Sequence, residues 1–222
     1  MELLKIEKLT KTYGAKKIPA LSGFDLSLQE GEMLAIMGKS GSGKSTVLNI
    51  IAGIDSMGGG RVLFEEKDMS KMSEGQMTRF RREKLGVVFQ HFALVDDYSV
   101  FANIALPLKL RGVRRGEVEK RVKAVASELG ITKLLDKYPR ELSGGEAQRT
   151  AIARAIITEP KLILADEPTG ALDEENGRKI MEIFHRLHRK GNTLIIVTHD
   201  PAVAASCERT VRIRDGRNEE SV

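Results

Sequence analysis

The chain has 222 residues, 41% of them hydrophobic and 30% charged, which suits one large domain, or one with a small inserted subdomain, around a proper core. Lys and Arg number 36 against 31 Asp and Glu, a net charge of +5, spread along the chain without a basic tail. That balance favours a solvated surface or proximity to anionic lipid over a nucleic-acid groove, and three tyrosines with no tryptophan offer little base-stacking surface. Cys207 is the sole cysteine. It excludes an internal disulfide, fits a reducing compartment and, beside Glu208, reads as a packing residue. No stretch approaches the ~20 apolar residues of a membrane span, and the N-terminus lacks a signal peptide's apolar core, so a soluble, cytoplasmic chain is expected.

From Leu3 to Thr12 apolar and polar residues alternate in part, and Phe24, Leu26 and Leu28 alternate cleanly. Antiparallel strands are expected there. Tyr13, between them, is either a strand-edge packing residue or a platform on which adenine can stack. Met33 to Met37 is a short apolar run of the buried-strand kind, leading into GKSGSGKST at 38–46. Gly38, Gly43, Lys44 and Ser45 fill the pattern G-x-x-x-x-G-K-[ST]. Glycines at 38, 41 and 43 let the backbone turn tightly, so that successive N–H groups and the positive end of the next helix point at one anion. The cradle comprises Gly38, Lys39, Ser40, Gly41, Ser42, Gly43, Lys44, Ser45 and Thr46. Lys44 is placed to pair with the β- and γ-phosphates and the Ser45 hydroxyl to ligate Mg²⁺, so ATP or GTP is the expected ligand.

An apolar helix containing Val47, Leu48, Ile50, Ile51 and Ile54 is expected next, ended by Gly58 to Gly60, with a strand from Arg61 to Phe64. Residues 73–84 are helical in character. Leu85 to Gln90 is a second buried-strand candidate; its terminal Gln90 is either a loop residue or, because parallel strands deliver their C-terminal ends to one edge, a group that reaches the metal or its water. Between 96 and 142 the pattern turns helical, with Phe101 to Leu106 before Pro107 and Glu117 to Leu129 showing one apolar face. Pro139 breaks that run.

Ser143, Gly144 and Gly145 then open a helix. Ser143 either caps it or, with free N–H groups and close backbone approach, contributes to a second anion site facing a phosphate from another direction. Lys161 to Ala165 reads as a strand ending in Asp166 and Glu167. Adjacent carboxylates there are unfavourable unless a cation or proton is shared. Asp166 is placed to accept a Mg²⁺-bound water or the Ser45 hydroxyl, and Glu167 either to polarise an attacking water or to sit in the dipole of a helix N-terminus. Glu174 to Lys190 reads as a helix with Ile180, Ile183, Phe184 and Leu187 inward. Asn192 to Thr198 reads as a core strand ending in His199, which is structural or a donor to phosphate. Val211 to Gly216 reads as a final hairpin arm, and the last residues as polar and frayed.

Taken together, these motifs resemble the ATP-binding cassette (ABC) ATPases over essentially the whole chain. The P-loop, Gln90, LSGGE at 142–146, LILADEP at 162–168, Leu172-Asp173 and His199 stand in that family's order. The resemblance implies an α/β P-loop NTPase of ABC-ATPase fold, with a mixed sheet core, an antiparallel β-subdomain and an inserted α-helical subdomain. It implies one cassette over 1–222: 1–90 and 143–222 as catalytic core with the β-subdomain, about 91–142 as helical subdomain. It further implies that Tyr13 stacks on adenine, that Gln90 contacts Mg²⁺ and the water, that Glu167 is the general base and that His199 holds the γ-phosphate. Two cassettes would sandwich two ATP molecules head to tail, Ser143 and Gly145 of one facing the P-loop of the other and Asp173 lying at the seam. EPTGALD and THDPAVAASC look like the macrolide-exporter, lipoprotein-release and bacitracin-type peptide-resistance group. Glu146 stands where many members have glutamine, followed by Ala147, and Gly170-Ala171 replaces a common serine-alanine. By this resemblance the partners are a second ATPase subunit and a permease, separate or fused, at the cytoplasmic face of a bacterial membrane. Soluble ABC ATPases form the alternative class. A non-ABC P-loop kinase or GTPase would leave the signature and His199 without purpose.

Overall fold

In chain order the secondary structure of the computed structural model is β1 Glu2–Tyr13, β2 Ile18–Gln29, β3 Met33–Met37, α1 Lys44–Ile51, β4 Gly59–Phe64, β5 Lys67–Asp68, α2 Glu74–Lys84, β6 Leu85–Val88, α3 Val100–Leu110, α4 Arg115–Glu128, α5 Gly144–Ile156, β7 Leu162–Asp166, α6 Glu174–Arg189, β8 Thr193–Thr198, α7 Pro201–Ala205, β9 Arg209–Arg214 and β10 Arg217–Asn218. The structure describes residues 1–219; the reading of the last residues lies outside that range. The described residues divide into two compact units, 1–81 with 188–219 and 82–187.

The first unit holds an antiparallel sheet in the order β2-β1-β4-β5. Leu4 pairs with Leu28 and Ile6 with Leu26, so the alternating residues turn one face inward, and Leu4, Ile6, Leu9, Phe24 and Leu28 are all buried. Phe64 of β4 meets Phe80 of α2 edge to face at 4.9 Å. A second set of strands is parallel: β3 lies between β8 and β9, with Met37 opposite Thr198 and opposite Arg212. β10 closes an antiparallel hairpin on β9. Every residue of β8 is buried, as expected of a parallel strand covered on both faces.

The second unit pairs β6 with β7 in parallel, Val88 opposite Ala165. Helix α5 buries Ala151, Ile152, Ala153 and Ala155, and α6 turns Ile180, Ile183, Phe184 and Leu187 inward at helical spacing. On α4, Val118, Val122 and Ala126 are buried.

Several boundaries differ from the sequence reading. Helix α1 ends at Ile51 and Ile54 is 56% exposed, because the Ile54 and Asp55 N–H groups turn back onto the Asn49 carbonyl and close the helix early. Helix α3 runs through Pro107 to Leu110: Ile104, Ala105 and Leu108 are buried on both sides of the proline, and this packing outweighs a proline penalty of about 3 kcal/mol. Strand β6 stops at Val88, leaving Gln90 in the following loop.

Cys207, just after α7, directs its thiol at the Val203 carbonyl, and burial pushes that thiol up to about 11 from 9.0. A raised pKa means that thiolate is scarce below about pH 11. Alkylation by iodoacetamide at pH 8 is therefore expected to run on the order of 100-fold slower in the folded protein than after denaturation, and to accelerate as pH rises. Mass spectrometry of timed samples measures this; equal rates would contradict a packed thiol.

Candidate active site

In the first unit β3 delivers its C-terminal end straight into the P-loop. Gly41 and Gly43 hold φ of +79° and +104°, the left-handed region that glycine enters at no steric cost. A Cβ at Gly38 would lie 2.4 Å from the Ile213 carbonyl oxygen and 2.5 Å from Ser42 Oγ, and one at Gly43 would lie 2.5 Å from the Ala20 carbonyl oxygen. No side chain fits at either position, because the loop packs closely against Ile213 of β9 and Ala20 of β2. Lys44 is 7% exposed and its ammonium curls over the loop, donating to the carbonyls of Gly38 at 2.8 Å and Lys39 at 3.0 Å. Ser42 Oγ is buried without a hydrogen-bond partner among the described residues. A glycine-rich loop leading into a helix, an inward lysine and an orphaned hydroxyl together fit a polyphosphate.

Because Met37 and Thr198 stand level in the parallel pairing, the strands end side by side. The Gly38 N–H donates to the Thr198 carbonyl at 3.4 Å, and His199 is the next residue, exposed before Asp200 caps α7 through the Ala202 N–H. Tyr13 closes β1 with its ring 43% exposed. Its hydroxyl donates to Asp55. Burial, then the hydrogen bond to Asp55, pushes the phenol above its ordinary value.

In the second unit the level ends of β6 and β7 place Gln90 and the Asp166-Glu167 pair at one edge. A Cβ at Gly170 would meet Gln90 Nε2 at 3.1 Å, the Glu167 carbonyl oxygen at 3.4 Å and Glu167 Cβ at 3.5 Å, so Gln90 and Glu167 border the same glycine. Glu167 has φ of +45°, a sparsely populated conformation for a non-glycine residue, of a kind that clusters at functional sites. Two further left-handed residues, Phe92 and Ala93, follow Gln90. The half-buried Arg154 of α5 donates to both of their carbonyls, at 3.0 and 2.7 Å.

Ser143 caps α5. Glu146 accepts from both its N–H at 2.8 Å and its hydroxyl at 2.9 Å, a capping box whose backbone and hydroxyl hydrogen bonds hold the Glu146 carboxyl below its ordinary value. The signature glycines lie in the first turn of α5. A Cβ on Gly144 would meet Leu172 Cδ2 at 3.1 Å, and one on Gly145 would meet Asn176 Oδ1 at 2.6 Å. Asp173 accepts from the Asn176 backbone N–H at 2.9 Å and its amide at 2.7 Å. The Leu172-Asp173 loop therefore packs on the start of the signature helix. Gln148 is fully buried and donates to the Pro168 carbonyl at 2.8 Å, tying α5 to the segment after Glu167.

Lys11, Asp55, Arg154, Gln148 and Asn176 were not singled out in the sequence. Only Lys11 left a signal: it shares the inward face of β1 with Leu9, where a lysine is out of place.

Comparison with known proteins identifies the family. The family profile described as ABC transporter matches residues 21–170. The chain is 41% identical to the bacitracin export ATP-binding protein BceA of Halalkalibacterium halodurans, over 98% of this chain and 87% of that one. It is 41% identical to the lipoprotein-releasing system ATP-binding protein LolD of Geobacter metallireducens, over 97% of each. The macrolide export ATP-binding/permease protein MacB of Campylobacter jejuni is 40% identical over 96% of this chain, which spans 33% of that longer protein. Two solved dimers of the bacterial cassette MJ0796, one in a post-hydrolysis state bound to ADP and phosphate, superpose at TM-score 0.91 with 39% identity, covering 98% of this chain and 97% of theirs. With a match of this extent behind a P-loop, a signature helix and a Glu167 loop in the family's order, the chain belongs to the ABC transporter family and is one of its ATPase cassettes.

Proposed function

We propose that this chain is the ATP-hydrolysing motor of a bacterial membrane transporter, acting as a head-to-tail pair of copies around two Mg²⁺–ATP. What supports the reading is the likeness to the cassette MJ0796, solved as a dimer, at TM-score 0.91 and 39% identity, together with a second glycine-rich helix start, Ser143 to Gly145, in addition to the one that follows the P-loop. In a head-to-tail pair, Ser143 and Gly145 of one copy meet the γ-phosphate held by the other, with Asp173 at the seam. Tyr13 stacks on adenine, and Lys44 pairs with the β- and γ-phosphates. The Ser45 hydroxyl, Gln90 and Asp166 supply oxygen donors of the hard kind Mg²⁺ takes. Mg²⁺ would keep waters and phosphate oxygens in the rest of its shell. Glu167 draws a proton from the attacking water while His199 donates to the γ-phosphate.

No helix among the described residues is long and apolar enough to cross a membrane, so transport requires a permease. The helical segment at about 91–142 is assigned to receive it, where Val95, Tyr98 and Leu110 stand exposed. The relatives named for bacitracin export, macrolide export and lipoprotein release favour an amphiphilic cargo, an antimicrobial peptide, drug or lipoprotein, handled from the cytoplasmic face of the membrane. The test is mild-detergent isolation of the tagged chain from its own membranes, with hydrolysis assayed alone and with what co-purifies. Recovery of a many-span permease that changes the rate is the expected result. Recovery of ribosomal or nucleic-acid-processing proteins in its place would overturn the transport reading and leave the ATPase standing.

A further inference from the structure

A polar cluster built on a buried lysine lies in the first unit, beneath Tyr13. Lys11 is 8% exposed, yet all three of its ammonium protons are used: Asp55 Oδ1 at 2.6 Å, the Ser56 carbonyl at 2.6 Å and Ser56 Oγ at 3.3 Å. The other Asp55 oxygen, Oδ2, accepts from the Tyr13 hydroxyl at 2.5 Å. The ammonium also lies 5.1 Å from the Tyr13 ring centroid, within cation–π range. Burial raises the Asp55 carboxyl, but hydrogen bonds from Lys11, Tyr13 and Ser56 outweigh it and hold the group below its ordinary value.

A lysine withdrawn from water is costly unless fully paired, and nothing in the β1–β2 pairing calls for one at this point. What the cluster does is fix a ring that is 43% exposed at a strand end, where a side chain is otherwise free to change rotamer. The anchor points matter. Tyr13 is joined to Asp55, whose N–H returns to the Asn49 carbonyl near the end of α1. The helix that begins in the phosphate loop thus carries, just past its end, the group that holds the ring.

We propose that Lys11 and Asp55 are positioning residues that lock the Tyr13 ring in its base-stacking pose before nucleotide arrives, so that the platform for the base and the cradle for the phosphates are spaced by α1. The inference rests on the reading of Tyr13 as the adenine platform. With its hydroxyl committed to Asp55, Tyr13 offers the base its ring face only. A ring ordered in advance spares the binding event the entropy of ordering it, worth about threefold to tenfold in affinity for one side chain.

The test is equilibrium binding of ATP and of inorganic tripolyphosphate, each with Mg²⁺, to the full chain and to Tyr13→Phe, Asp55→Asn, their double variant and Tyr13→Ala. Tyr13→Phe removes only the hydroxyl and keeps the ring and the Lys11–Asp55 pair, so it preserves the fold even if Asp55→Asn does not. The expected result is a loss of about threefold to tenfold in ATP affinity for Tyr13→Phe and Asp55→Asn, no larger in the double variant, with tripolyphosphate binding unchanged. ATP binding by Tyr13→Phe equal to that of the natural chain would overturn the lock. An equal loss for tripolyphosphate would also overturn it, because the cluster would then only support α1. If Tyr13→Ala binds ATP normally, the premise that Tyr13 is the platform fails, a result distinct from failure of the lock.

Discussion

Replacing Glu167 by glutamine is expected to abolish most turnover while leaving nucleotide binding intact. The side chain lies one residue past β7, beside Gly170 and Gln90, and is not part of the phosphate loop at 38–46. Glutamine keeps the volume and the hydrogen-bonding capacity but cannot take a proton from water. Loss of a positioned general base costs about 10²- to 10⁴-fold in rate. Phosphate release by the purified chain should fall by that factor while a fluorescent ATP analogue titrates as before. A variant that still hydrolyses at half the natural rate would remove Glu167 from the chemistry.

Lys44→Met is the complementary case, in which binding fails. The lysine stem is buried and its ammonium rests on the Gly38 and Lys39 carbonyls at 2.8 and 3.0 Å. Methionine fills the stem's volume but supplies neither charge nor donor. A hydrogen bond to a charged group is worth about 1.5–3 kcal/mol, so ATP affinity should drop about tenfold to a hundredfold or more, and hydrolysis with it. Thermal denaturation should show the chain still folded, since the two carbonyls released are near solvent. Unchanged ATP affinity would mean that the ammonium never leaves those carbonyls for a phosphate.

What the sequence made legible was what is local. The phosphate loop is a contiguous pattern between a strand and a helix, and its steric demand falls on Gly38 and Gly43, whose missing side chains the motif already implied. The common edge of Gln90 and Glu167 followed from a general property of parallel strands, and β6 and β7 do end level. The partners that support these residues were out of reach because they are far along the chain. Lys11 meets Asp55 across 44 positions and Arg154 meets Ala93 across 61, contacts that no periodicity carries. Local rules also failed where packing overrode them. Pro107 marks a helix end by its own chemistry, but buried neighbours on either side keep α3 continuous. Ile54 reads as the next apolar residue of α1, yet the chain turns back onto Asn49 before it.

The most direct test of the nucleotide sandwich is the molar mass of the Glu167→Gln variant in solution, by light scattering, with Mg²⁺ alone and with Mg²⁺ and ATP. A shift from one chain of 24.5 kDa to twice that mass is expected on adding ATP, and no shift when Lys44→Met is combined with it. A variant that binds ATP and stays at the mass of one chain would contradict the sandwich.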